Sequence, residues 1–118
     1  MKICIFGSRD VNVYQCREAV FNFVASTNIE STIIEGEARG VDNEACRASE
    51  FYRRKIEKYP PNYYKHGRKA TLRRNDIMVE VSDSGFGVWN GSSTGTNYTY
   101  LQFMKTDKDI KIVKIDKK

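Results

Sequence analysis

Three glycine-containing segments carry most of the chemistry legible in this chain: Gly7-Ser8-Arg9-Asp10, Gly36-Glu37-Ala38-Arg39-Gly40-Val41-Asp42 and Asn90-Gly91-Ser92-Ser93-Thr94-Gly95-Thr96. Each follows an apolar run and precedes a stretch of helical periodicity, so each is expected at a strand-to-helix corner. A glycine at such a corner lets backbone approach a ligand closely. The free amides of the helix start, aided by its dipole, then favour a bound anion. Three corners of this kind in one small domain point to a phosphate-bearing ligand.

The corners differ in what they offer. Gly7, Ser8 and Arg9 supply a turn, a hydroxyl and a guanidinium that could fork onto phosphate oxygens; the plainer reading pairs Arg9 with Asp10 at the surface. In the second corner, Gly36 and Gly40 flank Arg39. An arginine near a helix N-terminus opposes the dipole unless an anion sits close by, which makes Arg39 an anion contact. Asp42 either caps that helix or orients a ribose hydroxyl. The third corner, with Gly91, Ser92, Ser93, Thr94, Gly95 and Thr96, brings glycines, hydroxyls and unpaired amides to a helix start, although the same residues would serve as an ordinary cap. It lacks the Gly-Lys-Ser/Thr ending of a P-loop, which argues against ATP hydrolysis. Trp89, just before it, either walls the pocket or belongs to the core.

Between the second and third corners, Tyr63-Tyr64-Lys65-His66-Gly67-Arg68-Lys69 leads to Arg73, Arg74 and Asn75. Rings interleaved with cations suit a stacked base and a neutralised phosphate, in a mononucleotide or in single-stranded nucleic acid. The alternative is a solvated helix face with its tyrosines packed on the domain. Cys4, Cys16 and Cys46 form an odd set in apolar contexts without a Cys-x-x-Cys pair, as expected of buried thiols in a reducing compartment. Cys4 and Cys46 read as small core residues, with no local basic activator evident for a nucleophile. With His66 as the single histidine, zinc-ligand spacing is missing, so neither a metal nor a resident cofactor is expected.

These corners need strands and helices to hold them. Lys2–Phe6 reads as a strand buried on both faces, and Val13, Cys16, Val20, Phe23 and Val24 form the apolar stripe of a helix over about 11–26. Thr32–Glu35 is a second strand, followed after Gly40 by a helix whose apolar face is Val41, Ala45, Ala48 and Tyr52. Lys55–Tyr59 reads as a polar edge strand, and Pro60 and Pro61 open a loop. Helical spacing returns over 68–81 through Arg74, Ile77, Met78 and Val81. Gly85–Trp89, Thr94–Met104 and Ile110–Ile115 then give strand, helix and strand, and the lysines from Lys105 to Lys118 read as a solvated fringe. Alternating strands and helices imply an α/β fold with a doubly wound, mainly parallel five-stranded sheet flanked by helices. Its ligand belongs beyond the C-terminal strand ends, where strand order reverses and where all three corners fall.

A chain of 118 residues fits one domain, residues 1–118. Lys and Arg number 20 against 15 Asp and Glu, a net charge of +5 that favours phosphorylated or polyanionic partners without separating nucleotide from nucleic acid. The N-terminus enters a strand directly, lacking the pattern of a signal peptide, and no run reaches membrane-spanning length; a soluble, cytoplasmic protein is expected.

Taken in order, Phe6-Gly7-Ser8-Arg9, Gly36 to Asp42, Arg74-Asn75-Asp76-Ile77-Met78 and Trp89 to Thr96 resemble the YspA/YpsA-related branch of the SLOG superfamily, from Ile5 to nearly the end of the chain. The resemblance implies a Rossmann-like sheet that binds nucleotides or molecules derived from them, with relatives among LOG-type phosphoribohydrolases, DprA-type DNA-binding proteins and nucleotide-sensing domains. It implies that Gly7, Ser8 and Arg9, the Arg39–Asp42 stretch, Arg74, Asn75 and the Gly91–Thr96 stretch surround the ligand. Three departures stand out. Glu37 occupies a position often held by glycine, and Thr71 and Leu72 replace a glycine-containing pair. Asn97, Tyr98 and Thr99 stand where LOG-type enzymes place a glutamate after their Gly-Thr pair.

The leading expectation is therefore a nucleotide-binding module acting as sensor, carrier or sequestering protein. A phosphoribohydrolase that cleaves the N-glycosidic bond of a nucleoside monophosphate is the alternative, with Glu37, Asp42 or Glu35 recruited as acid or nucleophile. DprA-like binding of single-stranded nucleic acid is a further one. Exposed sheet edges and helix faces leave a homo-oligomer open.

Overall fold

The computed structural model describes residues 1–118. Five strands, β1 (Lys2–Gly7), β2 (Thr32–Glu35), β3 (Lys55–Lys58), β4 (Ser84–Trp89) and β5 (Asp109–Lys114), form one sheet in the order β3-β2-β1-β4-β5. All four pairings are parallel, as in a Rossmann-like doubly wound sheet. The helices are α1 (Val13–Ser26), α2 (Val41–Phe51), α3 (Tyr63–His66), α4 (Ala70–Val81) and α5 (Thr94–Met104).

The alternation of β1 explains the two layers. Ile3 and Ile5 face a core shared with Cys16, Val20 and Val24 of α1 and Val41, Ala45 and Ala48 of α2. Cys4 and Phe6 point the other way, onto Met78 and Val79 of α4 and Phe103 of α5. The Phe6 and Phe103 rings stack with centroids 5.7 Å apart, and Phe23 stacks on Phe86 at 4.0 Å on the opposite face. Because β1 lies mid-sheet, successive crossovers run outward from it in opposite directions. The crevice between β1 and β4 is therefore the switch in strand order, above the C-terminal ends of both.

Several boundaries differ from expectation for local reasons. Helix α1 begins at Val13 because the Asn12 side chain accepts hydrogen bonds from the Tyr14 and Gln15 amides at 3.1 and 3.0 Å, leaving Val11 outside. Asn62 caps α3 in the same way inside the segment expected to be a loop, accepting from the Lys65 amide at 3.0 Å. A 3-10 turn over Gly67–Lys69 follows, so α4 starts at Ala70 instead of Arg68. Val13 and Ile77, assigned to apolar stripes, are 44% and 43% exposed. Cys4 and Cys16 are fully buried, and burial pushes the Cys16 thiol up to about 12; Cys46 is only half-buried and is not a core residue. No helix is long and apolar enough to cross a membrane.

Candidate functional site

The first and third corners are stitched together before any ligand is considered. Ser8, buried at the end of β1, donates its amide to the Val88 carbonyl at 3.1 Å, and its hydroxyl accepts from the Asn90 amide at 3.1 Å. The same hydroxyl shares a 3.3 Å hydrogen bond with that of Thr96. Asn90 does the capping work of the third corner: its side-chain oxygen accepts from the Ser92 and Ser93 amides, both at 2.9 Å, and its Nδ2 donates to the Asp10 carbonyl at 2.8 Å. Ser93 then caps α5 by accepting from the Thr96 amide at 3.3 Å, while the Trp89 indole donates to the Ser93 carbonyl at 3.0 Å. The amides of Thr94 and Gly95, at the positive end of the α5 dipole, are left without a partner in the protein.

The second corner packs on the first. Gly40 has φ +78°, and a Cβ there would lie 2.5 Å from the Ser8 carbonyl oxygen, so only glycine fits. Glu37, by contrast, holds φ +58° with a side chain, where the resemblance leads one to expect glycine. Asp42 does not cap its own helix. Its Oδ2 accepts from the Gly36 and Ala38 amides, both at 3.2 Å, closing the loop in front of α2. Burial raises its carboxyl to about 6 against the pull of those amides and of Arg74. Glu35, at the end of β2, is pushed up to about 7, first by burial and then by the neighbouring Asp42 charge. Arg74 of α4 reaches under this loop, donating to the Gly36 carbonyl, to the Tyr59 carbonyl at 3.2 Å and to Asn75 Oδ1 at 2.7 Å. Burial lowers its pKa, with Asp42 opposing.

A cavity of about 880 Å³ opens between the first corner, the start of α5 and the α3–α4 segment. Arg9, Arg68, Arg74 and Lys117 line it against the carboxylates of Asp10 and Asp42, so it is net cationic. Of the residues expected from sequence, Gly7, Arg9, Asp42, Arg74 and Asn75 line it, as do Ser92, Ser93, Thr94, Gly95 and Thr96. Gly36, Glu37 and Arg39 border an adjoining hollow of about 520 Å³ that shares Arg9, Ala38, Tyr63 and Arg74 with the first. Ser8, Gly40, Trp89 and Gly91 line neither. The first three hold corners together as described, and Gly91, at φ +86°, makes a turn packed on Lys114.

Arg9 does not pair with Asp10: it makes no ion pair, and Asp10 Oδ1 accepts from the Lys118 amide at 3.1 Å. The C-terminal lysines are not all a fringe, because the tail beyond β5 folds back over α1. The Asp116 carbonyl accepts from the Asn12 amide at 2.9 Å, and Gln15 Nε2 donates to its side chain at 2.9 Å, which brings Lys117 to the cavity rim. Lys117, Asn90 and Tyr98 also line the cavity, beyond the residues expected from sequence. Asn90 alone had a readable signal, an Asn-Gly pair at a strand end.

The fold itself has a solved counterpart. The X-ray structure of DNA processing protein A (DprA) from Streptococcus pneumoniae superposes with a TM-score of 0.75 over 94% of this chain at 17% identity. The chain corresponds to about half of that protein, 49% of its length. No protein-family model matches the sequence, and no curated protein does. At that identity the likeness establishes a Rossmann-like α/β architecture, similar to that of DprA.

Proposed function

We propose that this chain is a binding module for a nucleotide or a nucleotide-derived small molecule, of the SLOG type and the YspA/YpsA-related branch. One observation carries the reading: at the switch between β1 and β4, the unpaired Thr94 and Gly95 amides and a set of four cations converge on a single cavity. An anionic group sits against α5 with Arg9 beside it. Tyr63, Thr71 and Leu72 offer a less charged wall to the rest of the ligand. Native mass spectrometry with nucleoside monophosphates, NAD, ADP-ribose and cyclic nucleotides tests it. A one-to-one adduct that Arg9→Ala weakens is expected; no adduct with any member of the panel would overturn the proposal.

Asp42 favours a second reading. It lines the cavity and holds its proton up to about 6, within reach of general-acid work near neutral pH, as a phosphoribohydrolase needs. Against this, Asp42 Oδ2 already serves two amides, Glu37 turns to Lys58 at 3.9 Å, and no glutamate follows Thr96. Base release that Asp42→Asn abolishes, with the adduct retained, would promote this enzyme reading. Binding of single-stranded nucleic acid, suggested by the name of the DprA neighbour and by the net charge of +5, would show as affinity that falls steeply with salt.

A further inference from the structure

Helix α4 carries its charges against its own dipole. Arg73 lies in its first turn, where there is no acid, and Glu80 lies near its end, where the only base is Lys108 from outside the helix, whose ammonium donates to the Val79 and Glu80 carbonyls at 2.6 and 2.9 Å. The Arg73 and Glu80 side chains are exposed, and neither makes an ion pair within the chain. Between them on the same face, four residues after Arg73 and three before Glu80, stands Ile77, 43% exposed. Helix α5 lies in the same layer, tied by the Tyr98 hydroxyl, which donates to Asp76 at 2.8 Å. It turns Leu101 and Met104 outward at 48% and 56% exposure.

We propose that this α4/α5 face docks a second copy of the chain about a two-fold axis near Ile77. The charge pattern is self-complementary only when the two α4 helices run antiparallel: Arg73 of one copy then meets Glu80 of the other, twice, with Ile77 against Ile77 between them. The same arrangement covers Leu101 and Met104. A face two helices wide and about 18 Å long falls below the standard size of stable interfaces, so the dimer is weak, reversible and concentration-dependent. None of Arg73, Ile77, Glu80, Leu101 and Met104 lines the cavity, so the inference is independent of any ligand.

Sedimentation velocity of the ligand-free protein over a wide dilution series tests it. The weight-average mass should climb toward twice that of the chain. Ile77→Asp or Leu101→Asp should weaken association by at least about tenfold with an unchanged thermal melt, since both positions are exposed. Arg73→Glu and Glu80→Arg should each weaken it several-fold, and the double reversal should restore it. A chain that stays monomeric, association indifferent to Ile77→Asp, or a double reversal no better than either single change would overturn the proposal. So would association that appears only on adding a single-stranded oligonucleotide, which would assign the face to nucleic acid.

Discussion

At the scale of single residues, the site is built from groups whose partners are either spent or missing, and that division makes its chemistry testable. Arg9 is exposed and unpaired, so Arg9→Ala should leave the melting temperature unchanged while weakening anion binding about tenfold, measured by calorimetric titration. Gly36 is the opposite case: a Cβ there would lie 2.7 Å from Arg74 Cζ and 3.0 Å from Asp42 Oδ2. Gly36→Ala should therefore displace the buried guanidinium and cost about 1–3 kcal/mol in urea unfolding. Glu35 gives a pH prediction. Its carboxyl is raised from 4.5 to about 7, so the native state binds the extra proton between those values and loses stability as pH rises through them. The fall should be about 2 kcal/mol across that window, and Glu35→Gln should reduce it, leaving the part due to Asp42, whose carboxyl is likewise raised, to about 6. A stability that instead rises from pH 5 to 7 would mean that Glu35 is ionised throughout.

At the scale of elements, strands and long helices were legible because periodicity records burial: the runs at Lys2–Phe6 and Thr32–Glu35 are buried on both faces, and the stripe of α1 is core through Cys16, Val20 and Val24. What periodicity could not give was set by side-chain oxygens. Asn12 and Asn62 fix two helix starts, and the turn at Gly67–Lys69 makes α4 begin at Ala70, two residues after the start that periodicity suggests. Ile77 satisfied a helical pattern while pointing outward, since spacing alone does not say which stripe the sheet covers. The third corner likewise looked richer in free amides than it is, because Asn90 and Ser93 use three of them. Asn90→Ala should unpair the Ser92 and Ser93 amides and the Asp10 carbonyl. We expect a loss of about 1–2 kcal/mol in thermal unfolding together with weaker nucleotide binding. Full stability and affinity in that variant would show that the corner holds its shape without Asn90.

At the scale of the whole molecule, strand order is what gathers three corners distant in sequence. With β1 central and crossovers running outward from it, residues near positions 9, 42 and 95 meet above one crevice, as the alternation of strands and helices implies. The return of the tail over α1 had no comparable signature. It depends on Asp116 meeting Asn12 and Gln15 about a hundred residues away, which no local pattern around Lys117 encodes. The central claim is that an anionic ligand seats at the start of α5. Its most direct test is ¹⁵N amide chemical-shift mapping during titration with nucleoside monophosphates, ADP-ribose and NAD. The account predicts the largest shifts at the Thr94 and Gly95 amides, followed by Arg9 and its neighbours, with Arg9→Ala diminishing them. Shifts that cluster away from the β1–β4 crevice, or none at millimolar nucleotide, would contradict it.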